Sequence, residues 1–209
     1  IGNVYEGIVA RDSKNQVAPA IASSWETSKD GLTYTFHLNK NMTFFNGDKL
    51  DAEDVAWSIN ELIAKGYHDA DALAAVSKVV AKDAVTAVIT LKSPNSNLLW
   101  TLTGRAGLVF DKDAKYDLKT QAVGSGPYTF ESCSNGAVTL QKNATYRKGE
   151  PKIDTVIWRE MQVVDKIPGV LSGTIDITDP TFSNDTVDAI TKANNGSGVH
   201  GDKVTNDTV

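Results

Sequence analysis

Cysteine is nearly absent. The 209-residue sequence holds one, Cys133, which excludes an internal disulfide framework and a cysteine-based zinc site. No apolar run approaches the ~20 residues that span a bilayer, so a soluble chain is expected. Positive charge is scarce: 21 Lys and Arg face 26 Asp and Glu, a net charge of −5. That balance argues against nucleic acid or an anionic membrane surface as the main partner. Internal repeats and low-complexity segments are missing too. What is present is globular composition, 41% apolar and 22% charged, long enough for one full domain or two small ones.

The first half reads as short strands around one strong helix. Leu32, Tyr34, Phe36 and Leu38 alternate with Thr33, Thr35 and His37 after the turn pair Asp30-Gly31, which predicts a half-buried strand with Ile21–Trp25 as its hairpin partner. Asn46-Gly47 marks the next turn. Asp51 through Lys65 predicts a helix: Asp51 caps it, Glu53 and Asp54 favour its dipole, Val55, Ile59, Leu62 and Ile63 form its apolar stripe, and Gly66 ends it. Lys78–Ala81 and Ala84–Leu91 predict a second hairpin turning at Lys82-Asp83. Leu98–Leu102 predicts a short helix. Tyr128–Ser132 and Ala137–Gln141 predict a third hairpin about Ser134-Asn135-Gly136. Strands are expected at Ile153–Arg159 and Thr174–Ile177, with an amphipathic helix at Thr186–Ala193. Trp25 and Trp158 fall in strand-like runs, where core packing is expected. Trp57 lies off the stripe of its helix, and Trp100 stands just before a Gly-Arg-Ala-Gly loop where it can line a cleft. The fold class is α+β and hairpin-rich.

Catalytic chemistry finds no footing. His37, His68 and His200 have no partner at ligand spacing, and His37 on the Thr face of its strand reads as solvated. Asp69-Ala-Asp71 and Asp111-Lys-Asp113 lack the Gly and closing Glu of a calcium loop and read as solvated carboxylates. Gly124-Ser125-Gly126 fails the spacing of a nucleophile elbow. Gly196–Gly201 lacks the Lys-Ser/Thr of a phosphate loop. Cys133 has no histidine nearby in sequence and reads as a bystander thiol. No enzyme and no cofactor are expected.

A series of segments carries a resemblance. In order they are Val4–Val9, Val17–Glu26, Ser28–Leu38, Phe45–Asp48, Asp51–Val55, Gly104–Gly107, Val123–Tyr128, Lys142–Tyr146 and Leu171–Ile177. Together they resemble the family 5 solute-binding proteins of ABC importers, which carry oligopeptides, dipeptides and nickel. The resemblance implies a periplasmic-binding-protein-like type II fold. Family members are more than twice this length, so it implies lobe I only, with residues 1–122 as its small subdomain, 123–209 as part of its main subdomain, and the second lobe after Val209. An export signal, and in Gram-positive species a lipidated cysteine anchor, is expected ahead of Ile1. Two departures stand out: Tyr146-Arg147 replaces the usual Tyr-Trp, and Pro168 falls where the family has a helix, which is expected to be shortened or to begin near it.

The function implied is capture of peptides outside the cytoplasmic membrane by a monomeric receptor that docks on an ABC permease. A nickel chelate or other small solute is the alternative ligand, and a sensory or interaction domain reusing the fold the alternative role. By resemblance Arg105 faces the ligand cleft, with Gly104 and Ala106 letting backbone approach a ligand, and Tyr67 near an aromatic cleft position. A guanidinium suits a peptide or chelate carboxylate through its bidentate fork. Lone-lobe binding is expected to be weak, because closure of two lobes supplies the differential affinity.

Overall fold

The computed structural model describes residues 2–115, 117, 120–179, 188 and 191–192. These fall in two compact units, Ile1–Trp158 and Arg159–Val209. In the first unit a small ribbon of β1 (Val9–Arg11) and β2 (Val17–Pro19) precedes β3 (Ala22–Thr27) and β4 (Thr33–Leu38). The alternation seen in the sequence becomes burial: Tyr34, Phe36 and Leu38 are buried while Thr33, Thr35 and His37 are partly open. β3 and β4 pair antiparallel in the expected hairpin, with Trp25 opposite Phe36.

Helix α1 (Ala52–Lys65) follows the turn in which Gly47 has φ +92°. The Asp51 side chain accepts from Glu53 N, and Asp54 Oδ2 accepts from Asp51 N at 2.9 Å, so the cap is reciprocal. Val55 and Ile59 turn into the core. β5 (Val76–Asp83) and β6 (Thr86–Leu91) complete a four-stranded antiparallel sheet in the order β3-β4-β6-β5, against which α1 packs. The hairpin between them turns at Ala84-Val85, two residues later than Lys82-Asp83. Bulges in the β5–β6 register and the Val85 N–H donated to Asp83 Oδ1 carry strand pairing past the charged pair. The main core joins α1 to the inner face of this sheet around Phe36, Phe44, Ile89 and Leu73. Removing a ring such as Phe36 would cost about 3–5 kcal/mol.

α2 (Leu98–Thr101) is the expected short helix. A three-stranded sheet follows, β7 (Tyr128–Ser134), β8 (Ala137–Lys142) and β9 (Thr155–Arg159), in that order. Asn135 and Gly136, at φ +50° and +70°, make the β7–β8 turn, and Cys133 is exposed beside it. A second core gathers Val4, Tyr5 and Leu140. There Gly126 N and Tyr128 N donate to Val4 O and Asn3 O, each at 2.9 Å. A Cβ at Gly124 or Gly126 would collide with the Val4 backbone, which is why glycine brackets Ser125.

Three expectations are corrected. Trp158 is 60% exposed rather than packed in a core, because both faces of β9 are open where Ile157 and Trp158 point. In the second unit α3 (Val163–Leu171) starts five residues before Pro168 and carries it inside, leaving the Val164 carbonyl without its helical donor. Thr174–Ile177 forms no strand: Gly173 has φ +74°, and Thr174 N and Ile175 N both bond Gly169 O, so these residues close the helix end. The helix expected at Thr186–Ala193 lies outside the described residues except Asp188, Thr191 and Lys192, which are helical.

Candidate ligand site

Two chain reversals in the first unit create the site. Gly66, at φ +60°, ends α1, donating to Ile63 O at 3.2 Å while Tyr67 N reaches Leu62 O at 3.2 Å. The chain therefore leaves the helix sideways and sets Tyr67 and His68 beside its last turn. The second reversal is the single 3₁₀ turn Arg105–Gly107. Its Ala106 is buried, and Gly107 O accepts from Ile8 N at 2.9 Å, so the exposed Arg105 rises from a fixed base. The strand-like stretch after it lies along α1. Ser58 Oγ accepts from Phe110 N at 2.9 Å, and Asp54 Oδ1 accepts from Lys112 N at 3.1 Å.

Between these elements is a pocket of about 500 Å³. Trp57 and Leu62 of α1, with Tyr67, Leu108 and Phe110, make its apolar wall, and Arg105 and His68 form a polar end. Trp57, off the apolar stripe of α1, finds its use here; it is 38% exposed. Lys112, at another edge, lies 2.7 Å from Asp113 Oδ2, which holds its ammonium above the usual lysine range.

Of the residues expected at a ligand, Arg105, Ala106 and Tyr67 all line this pocket. Gly104 and Trp100 are not part of it. Gly104 caps the turn, its carbonyl accepting from Gly107 N, and the Trp100 ring is covered by the Arg11 guanidinium at 4.9 Å. The sequence reading missed two partners. Asp69, read as a solvated loop carboxylate, accepts from Arg105 Nε at 3.0 Å, and His68 Nδ1 lies 3.0 Å from Arg105 Nη2. The contact spans 36 residues of chain, and no local pattern announces it.

A second polar cluster was visible only as the unusual Tyr146-Arg147. Buried Glu6 accepts from Arg147 Nη2 at 2.8 Å, Tyr146 OH at 3.2 Å and Ser125 Oγ at 3.1 Å. Burial, reinforced by Glu6, pushes the Tyr146 phenol up to about 12. Among the described residues no group of three or more His, Cys, Asp or Glu side chains is placed to hold a metal ion. None of their helices is long and apolar enough to cross a membrane.

Comparison with known proteins agrees with this architecture. The profile of "Bacterial extracellular solute-binding proteins, family 5 Middle" matches residues 16–206. The chain belongs to that family. The glutathione-binding protein GsiB of Salmonella paratyphi A is 31% identical over 163 residues, covering 74% of this chain and 32% of the relative. The dipeptide-binding protein DppE of Bacillus subtilis is 27% identical over 183 residues, covering 76% of this chain and 34% of its own. Among solved structures, MoaA of A. tumefaciens R10 in complex with mannopinic acid superposes with a TM-score of 0.84 at 27% identity, over 91% of this chain and 41% of that one. The chain thus spans about a third of the length of the curated relatives it matches, and its fold is that of lobe I of a type II periplasmic binding protein.

Proposed function

We propose that this chain is the first-lobe part of a receptor that captures small carboxylate-bearing solutes, peptides foremost, outside the cytoplasmic membrane and delivers them to an ABC permease. The observation that carries the reading is an exposed arginine standing on a rigid turn at the polar end of a largely apolar pocket. Such a pocket suits a ligand with an apolar body and an anionic end. Arg105 takes the carboxylate by charge-assisted hydrogen bonds, while Tyr67 and Ala106 meet the ligand's apolar part. Glutathione, dipeptides and mannopinic acid, for which similar proteins are named, all carry carboxylates, which supports the same chemistry. The division into subdomains at residues 122 and 123, closure by a second lobe and an extracytoplasmic setting belong to this proposal.

Calorimetry with a panel of di- and tripeptides tests it. Arg105→Ala should weaken the best binder about tenfold or more, the scale of a lost charge-assisted bond. An unchanged dissociation constant would remove Arg105 from the site.

A further inference from the structure

Asp69 occupies an unusual position. Its backbone is left-handed, φ +75°, at the head of the 3₁₀ turn Ala70–Leu73, a conformation that strains most residues bearing a side chain. An aspartate there ordinarily repays the strain by capping the turn that follows, yet the Asp69 side chain makes no cap hydrogen bond. It points instead at Arg105. The side chain is only 31% exposed, against 54% for Arg105 and 76% for His68.

The geometry of the contact separates the two edges of the guanidinium. Asp69 Oδ2 takes Nε at 3.0 Å, the side edge of the fork. His68 Nδ1 sits 3.0 Å from Nη2 and 2.7 Å from Asp69 Oδ1, and its Nε2 lies 3.4 Å from the same Nη2. With a proton on Nδ1 the imidazole donates to Asp69; without one it accepts from Arg105. The first form seats it on Asp69 and the second on Arg105. Arg105 Nη1 has no hydrogen bond among the described residues, and His68 can take only one Nη2 hydrogen at a time, which leaves an end-on edge of Nη1 and the other Nη2 hydrogen. That edge presents two parallel N–H groups at the spacing of a carboxylate.

The geometry points to Asp69 as a positioning residue for ligand recognition: with His68 it clamps the side edge of Arg105 so that the end-on fork is held ready for the carboxylate of an incoming solute. This rests on the reading of Arg105 as a ligand contact. A long flexible side chain loses rotamer freedom when it binds, and the contact with Asp69 moves that loss from binding to folding. It also neutralises Arg105, so the selectivity gained is for a matched bidentate partner rather than for negative charge in general.

The test uses the chain as it is, with trialanine and its C-terminal amide as probes and NMR as the readout. Asp69→Asn suits the purpose, because asparagine tolerates left-handed backbone and keeps the shape. The Arg105 Nε–H signal, assigned by its loss in Arg105→Lys, is expected to exchange with water about tenfold more slowly in the wild type than in Asp69→Asn, the scale of one charge-assisted bond. Millimolar trialanine should shift that signal and the amide should not, and Asp69→Asn should reduce the preference several-fold. Equal exchange in wild type and variant overturns the clamp whatever the peptides do. Slow exchange in the wild type with no response to trialanine overturns the recognition role through the reading beneath it, leaving Asp69 as part of the architecture. A preference that survives Asp69→Asn unchanged overturns positioning while sparing Arg105 as the contact.

Discussion

At the scale of single residues, Glu6 is the carboxylate with most to lose. It is buried, and it gathers bonds from Arg147, Tyr146 and Ser125 on parts of the chain more than a hundred residues away. Glu6→Gln keeps the shape but removes the charge, leaving a partly buried guanidinium without its counter-ion. Urea unfolding should then show a loss of about 1–3 kcal/mol. The same substitution has a spectroscopic sign. The folded Tyr146 phenol is raised from 10.0 to about 12, by burial first and Glu6 second. Its preference for the neutral form therefore stabilises the fold fully below pH 10 and fades as the pH climbs toward 12. In Glu6→Gln the phenolate absorbance should appear at lower pH than in the wild type, though still above 10 because burial remains.

At the scale of elements, α1 is anchored through Asp54, whose two carboxylate oxygens accept from Asp51 N and Lys112 N and so tie the helix start to the stretch lining the pocket. Burial raises the Asp54 carboxyl above its usual 3.8, outweighing those two bonds. Asp30 is lowered, chiefly by the Ser28 hydroxyl and then by Leu32 N–H. The signs oppose. Asp30 contributes stability above pH 3.8 that is lost as acid is added, whereas Asp54 gains its favourable protonated form as the pH falls through its folded value. A carboxyl-carbon NMR titration should find Asp54 titrating at higher pH than Asp30. Asp54→Asn, which must point an NH₂ at one of the two backbone donors, should cost about 1–3 kcal/mol in thermal or urea unfolding.

This helix also shows what a sequence can and cannot carry. Its cap, stripe and stop each rest on contacts between residues at most five apart, and all were legible, as were the β3–β4 and β7–β8 hairpins with their glycine turns. Arg105, Ala106 and Tyr67 were reached through family resemblance, and all three line one pocket in the structure. Asp69 was misread because its partner is distant in sequence and its backbone angle leaves no compositional trace. The turn at Ala84-Val85 was misplaced because tertiary pairing carried β5 through the charged pair Lys82-Asp83, and the closure at Gly173 because strand-like residues after it were claimed by a helix end.

At the scale of the whole molecule, apolar surface is left uncovered. In the first unit Ile153, Ile157 and Trp158 are each more than half exposed around β9. Ile157 and Trp158, adjacent in the strand, point to opposite faces of it, so apolar side chains are open on both sides. Replacing Ile157 and Trp158 together by Lys should leave stability within about 0.5 kcal/mol per site, since neither side chain is packed. The same change should lower the fluorescence of a bound hydrophobic dye. A large stability loss instead would mean that these side chains are packed in solution.

The bonds that seat Asn3 and Val4 against Gly126 and Tyr128 also set a clock. Glu6 and Ser125 are 119 residues apart. At a synthesis rate of roughly 5–20 residues per second, Glu6 is made on the order of ten seconds before Ser125. During that interval Val4 and Tyr5 have no core to enter, and a buried glutamate has no cation. The second core therefore closes only after residues 125–147 are made, and until then Val4, Tyr5 and Glu6 stay exposed to solvent and to other chains.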